Sequence, residues 1–151
     1  MPITIQNSYT NSIPVGQPGM LADGGTKNPI TRNVEDAGGI AFGKAAFKGT
    51  ADKGITATPG TKFQGIVIAD QGLIMPVGGT ADVFGQNASA PLLDMGDIWV
   101  TVGANVAAGA AAYVTSAGVF TSSASGNTAI PATFIDTASS GGLSRLRVVQ
   151  Q

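Results

Sequence analysis

The chain has 151 residues, the length of one domain, and folding at that size buries about 68–70% of the unfolded surface. Charged residues make up 11% of it and the net charge is −1, against about 25% charged in typical domains, so there is no electrostatic case for a nucleic-acid partner. With no cysteine and no histidine, disulfides, thiolate sites and the usual general base and metal ligand are excluded.

Residues 1–36 differ from the rest. Pro2, Pro14, Pro18 and Pro29 are half of all the prolines, and Gly16, Gly19, Gly24 and Gly25 lie among them. Such a segment resists helix and central strand. Yet Ile3, Ile5, Ile13, Val15, Met20, Leu21 and Ile30 make it too apolar for a free disordered tail. An extended N-terminal arm lying along a surface, its own or a neighbour's, satisfies both facts. The start, MPITIQNSYTN, has no basic segment followed by an apolar core; a soluble protein made in a cytoplasm is expected.

Residues 37–151 read as one β-domain. Short runs follow one another: Ile40-Ala41-Phe42, Ala45-Ala46-Phe47, Phe63 to Ala69 and Gly72 to Pro76, with a turn at Val77-Gly78-Gly79. Asp97 to Val102 alternates, with Ile98, Val100 and Val102 on one side and Asp97, Trp99 and Thr101 on the other. Gly103-Ala104-Asn105 and Gly109 break the chain. Ala112 to Thr115, a turn at Ser116-Ala117-Gly118, and Val119-Phe120-Thr121 predict a hairpin. Ala129 to Ile135 and Leu143 to Val149 are the last runs, joined by Ser139-Ser140-Gly141-Gly142, with Arg145 and Arg147 outward. No stretch of ten residues keeps a helical period. The pattern predicts an all-β fold, an antiparallel sandwich or barrel.

The charge deficit leaves an outer surface of small neutral residues, suited to packing against other proteins because little charge must be desolvated. Lys44, Lys48, Lys53 and Lys62 concentrate in one region and Asp70, Asp82, Asp94 and Asp97 in the next. That asymmetry is either scattered solvated charge or a means of orienting subunits. Trp99, the single tryptophan, is either a core anchor or a contact on a partner.

Chemical motifs fail on inspection. Asp94 and Asp97 are the only close carboxylate pair in the strand region, but across Gly96 they read as a solvated turn opening a strand rather than a glycosidase pair. A calcium loop lacks its alternating oxygens. Gly38 to Lys44 has P-loop spacing, yet Ala45 replaces the magnesium-binding hydroxyl and neither strand nor helix flanks it. Asn87-Ala88-Ser89 is a glycosylation triplet by pattern only, and Gly-Thr-Ala-Asp at 49–52 and 79–82 is too short for a repeat. The longest nearly apolar run, Val106 to Val114, falls short of the roughly 20 residues that span a bilayer. No catalytic residue, cofactor, metal or membrane is expected.

Four runs resemble the capsid decoration, or structural cement, proteins of tailed bacteriophages: Asn7-Ser8-Tyr9 through Gly16-Gln17-Pro18-Gly19-Met20; Asp94 through Val100; Val106 through Gly109 leading to Tyr113 and Phe120; and Gly141 through Val148. The resemblance implies a jelly-roll-like β-sandwich on the outside of an icosahedral head. It also implies a homo-oligomer, dimer or trimer, that bridges and stabilises major capsid protein subunits. It implies no catalytic residue. In that setting Ile3, Ile5, Tyr9, Ile13, Val15, Met20, Leu21 and Trp99 are the expected interface residues. The alternative is a phage fibre or tail module that binds a receptor or carbohydrate.

Overall fold

The computed structural model describes residues 15–149 apart from 61 and 76. Among them are eleven strands and no helix: β1 Asn28–Val34, β2 Ile40–Ala41, β3 Ala45–Lys48, β4 Gly54–Thr56, β5 Phe63–Val67, β6 Val83–Phe84, β7 Ser89–Thr101, β8 Ala111–Val114, β9 Phe120–Thr121, β10 Thr128–Phe134 and β11 Leu143–Val148. The order β1-β4-β3-β5-β7 returns to β1, which closes a five-strand barrel. Only the β1–β4 pair is parallel. β7 then leads into β11-β10-β8-β9, and a parallel bridge from Val102 to Phe120 curls β9 back against the end of β7. β2 and β6 form a separate small pair.

β7 serves both halves. Its residues 89–95 pair with β1, and residues 96–101 pair with β11. At the changeover Asn28 faces Met95 while Pro29 faces Leu93, so Asp94 is the extra residue of a bulge. Pro29 sits where a missing N–H costs least, and the Asn28 side-chain amide donates to Asp94 Oδ1 at 2.9 Å. Gly96, at φ +131°, supplies a backbone conformation that side-chain-bearing residues rarely adopt. The segment Asp94 to Asp97, expected as a solvated turn, is therefore the middle of one long strand. Its bulge lets the strand change partners without ending.

The wall of β3, β5 and β7 is apolar on both faces, and adjacent residues separate into two cores. Ala46, Val67 and Leu92 join Val34, Ile40, Ile55 and Phe84 inside the barrel. Their neighbours Ala45, Ile66 and Leu93 join Phe47, Ile98, Val100, Phe120, Phe134 and Leu146 in a second core under the outer sheet. Double burial explains why these strands read as unbroken apolar runs, whereas β10 and β11, with one solvated face, alternate.

The hairpin over 111–121 forms as the sequence implies, with Tyr113 opposite Thr121 and Val114 opposite Phe120. Ile98, Val100 and Val102 are fully buried. The run from Gly72 differs. Residues 72–75 make no strand, since no neighbouring edge accepts them, and the Gly72 N–H instead turns back onto Asp70 Oδ1 at 2.8 Å. Residues 28–34, inside the segment expected as an arm, are a barrel strand, and the β4 and β6 strands have too few apolar residues to stand out in the sequence.

Candidate functional site

The outward face of the β7–β11 ladder carries the single tryptophan between two arginine–aspartate ion pairs. Register places Asp97 opposite Arg147, Trp99 opposite Arg145 and Thr101 opposite Leu143. The residues between them, Ile98, Val100, Ser144 and Leu146, point into the core, so period two delivers every odd position to the outside. Arg147 holds Asp97 through Nε–Oδ1 at 2.9 Å and Nη2–Oδ2 at 2.8 Å. Arg145 holds Asp136 in the same way, at 2.8 and 2.7 Å. These guanidinium bonds hold both carboxyls below the ordinary aspartate range, and the carboxylates in turn raise both arginines. The Arg145 Cζ also lies 5.9 Å from the Trp99 ring centroid, within cation–π range.

A strap formed by residues 15–22 crosses this face. Gly19 N–H donates to Trp99 O at 2.8 Å, Trp99 N–H to Met20 O at 2.9 Å and Ala22 N–H to Asp97 O at 2.9 Å. Leu21 bridges Ile98 and packs against the larger core. The strap thus covers the edge of β7 that β11 leaves free. Gly16 lies flat on Trp99, where a Cβ would come within 2.7 Å of the ring. Val15, Ala22, Trp99, Asp136, Leu143 and Arg145 line an open cleft of about 330 Å³ beside it.

Of the expected interface residues, Val15 and Met20 are 73% and 39% exposed. Leu21 is half-buried on its own core, and Trp99 is half-buried between strap and Arg145, outside both cores. Ile3, Ile5, Tyr9 and Ile13 lie outside the described residues. Sequence reasoning missed the two arginine–aspartate pairs, although opposite charges in register on adjacent strands are their natural signal. It also missed an exposed apolar loop around Ile74, for which Pro76, Gly78 and Gly79 were the available sign. Among the described residues no group of three or more His, Cys, Asp or Glu could hold a metal, and none of their helices is long and apolar enough to cross a membrane, since none is present.

The outward-facing ladder, the strap and the two cores all fall within a segment that a known family spans. Residues 5–149 match the structural cement protein family described by E217 gp24 and Pam3 gp6. The chain belongs to the phage structural cement family. This cement protein is accordingly a structural protein of a phage virion. Its fold is also similar to a chain in the capsid of Myoviridae phage XM1, with a TM-score of 0.71 and 18% identity over 96% of this chain and 97% of that one. At that identity the likeness establishes the fold of the cement protein alone. No curated protein matches it.

Proposed function

We propose that this cement protein decorates the outer surface of a phage capsid as a homo-oligomer, bridging and stabilising major capsid protein subunits without catalysis. The observation that carries the reading is the family match over residues 5–149. The physical character of the surface supports it. Only 8 basic and 9 acidic residues are spread over the chain, and two of each are already spent on one another in ion pairs. Apolar Val15 lines the cleft beside Trp99, exposed Met20 joins Trp99 through its backbone, and aromatic and arginine side chains in partly desolvated settings are the usual anchors of protein contacts. Repetition over a shell turns many weak contacts into firm attachment. Synthesis in the bacterial cytoplasm precedes attachment, and residues 1–14, with Ile3, Ile5, Tyr9 and Ile13, contribute to the contact.

Adding the purified protein to undecorated heads and measuring co-sedimentation tests the reading. Saturable attachment to heads is expected, and weaker attachment on deletion of residues 1–14. Failure to bind heads, together with binding to tails, fibres or a glycan array, would establish the alternative of a receptor- or carbohydrate-binding module.

A further inference from the structure

The loop between β5 and β6 carries a feature that the strapped face does not explain. From Gln71 to Ala81 it has no charged residue, and Asp70 and Asp82 stand at its two roots. Ile74 is 88% and Met75 53% exposed, and Val77 is wholly exposed. Monomeric proteins rarely hold three large apolar side chains in water on one projecting loop. The roots are fixed: Leu73 packs against the barrel core, and the Phe42 N–H donates to Asp82 O at 2.9 Å.

Near those roots lies an open cleft of about 330 Å³ lined by Ile40, Ala41, Lys44, Ala45, Ala57 and Ala117, among others. It is adjacent to the loop because Ala41 pairs with Val83, the residue after Asp82. The cleft has an apolar floor and a lysine but no acidic residue. Lys44, Asp70 and Asp82 form no ion pair among the described residues. The chain therefore presents an apolar projection with acidic roots and, adjoining one root, an apolar recess with a basic rim. Such a surface is self-complementary under a two-fold rotation.

We propose that two copies of this chain pair about a two-fold axis, each seating Ile74, Met75 and Val77 in the partner's cleft between β2 and the 115–119 hairpin. Asp70 and Asp82 then approach Lys44 of the partner subunit. The acidic roots set the loop against an anionic lipid surface. Its convex shape calls for a concave partner, which the second copy supplies. The proposal rests on the self-association in the proposed function and assigns it a surface distinct from the strapped face.

The chain has no cysteine, so a disulfide trap reads the contact directly. Val77→Cys and Ala117→Cys proteins are made separately, mixed and mildly oxidised. A covalent dimer of mixed composition is expected, with little cross-linking of either protein alone. Val77→Asp is expected to weaken the solution dimer at least ten-fold by analytical ultracentrifugation, with its melting temperature kept. A monomeric wild type, an undiminished Val77→Asp dimer, or Val77→Cys cross-linking equally well to itself would overturn the pairing. Loss of head attachment by a Val77→Asp protein that remains dimeric would likewise overturn it and assign the loop to the shell. Head attachment by a monomeric wild type would leave the decorating role standing while removing this interface.

Discussion

Arg147 grips Asp97 across the β7–β11 ladder with two near-parallel hydrogen bonds of 2.9 and 2.8 Å. The aspartate side chain is nearly buried while the guanidinium is mostly exposed, so the arginine acts as a lid on a carboxylate that has little other solvation. Its hydrogen bonds hold Asp97 below the ordinary value of 3.8. A carboxyl lowered in the folded state stabilises the fold in full above its unfolded value, and that contribution is lost as pH falls through the folded value. Arg147→Ala is therefore expected to lower the thermal midpoint at pH 7 and to make its decline below about pH 4 shallower. Melting curves from pH 7 to pH 2.5 check this, and an unchanged acid decline would remove the pair from the acid response.

The contact between Gly16 and Trp99 gives a second prediction. A Cβ at residue 16 would stand 2.7 Å from the indole, so Gly16→Val must push the strap off the ring or move the ring. Such overpacking costs about 1–3 kcal/mol. Because Trp99 is the single tryptophan, its emission reports the change without interference. A red shift together with a lower denaturant midpoint is expected. A stable variant with unshifted emission would mean that the strap does not shield the ring.

These two contacts mark where sequence stopped being informative. The alternation of Ile98, Val100 and Val102 is written in residue types, because burial of one sheet face imposes period two on any sequence. So is the hairpin at Ser116-Ala117-Gly118, where the turn demands small residues and Gly118 adopts φ +75°. The closure of the barrel is not. It depends on β1 finding β4, 21 residues on, and β7, 56 to 67 residues on, and no local pattern encodes which edges meet. Trp99 had a legible phase but an illegible cover, since the glycine that lies on it is 83 residues earlier in the chain. The Asp94–Asp97 stretch misled for a different reason. Glycine between two aspartates has the composition of a turn, and only the partner strand reveals a bulge.

Glu35, just after β1, yields a third prediction. Its carboxylate accepts the Thr50 N–H at 2.8 Å and the Ala51 N–H at 2.7 Å. These main-chain donors hold it below the ordinary 4.5 and fix the turn between β3 and β4. Glu35→Ala is expected to raise amide exchange at Thr50 and Ala51 selectively, leaving β3 protected. In the wild type that protection is present above the ordinary value and is lost as pH falls through the lowered one. Protection factors measured by NMR from pH 6 to pH 3 check both statements. Unaltered exchange in Glu35→Ala would show that the turn holds without its carboxylate.

Phe47 tests whether the two cores act as one. It stands in the shared wall, fully buried, edge-on to Phe63 with ring centroids 5.9 Å apart and planes at 74°. Phe47 packs in the second core while its neighbour Ala46 packs inside the barrel, so a void at Phe47 weakens the element on which both halves rest. Phe47→Ala is expected to cost about 3–5 kcal/mol, a large share of the 5–15 kcal/mol typical of a domain. Because β7 runs through both halves, loss of one half exposes the wall of the other. Denaturant unfolding of the variant should therefore remain one transition, with an earlier midpoint and the same slope. Two separated transitions would instead mean that the barrel survives the loss of the outer sheet, and that β7 joins two independently stable units.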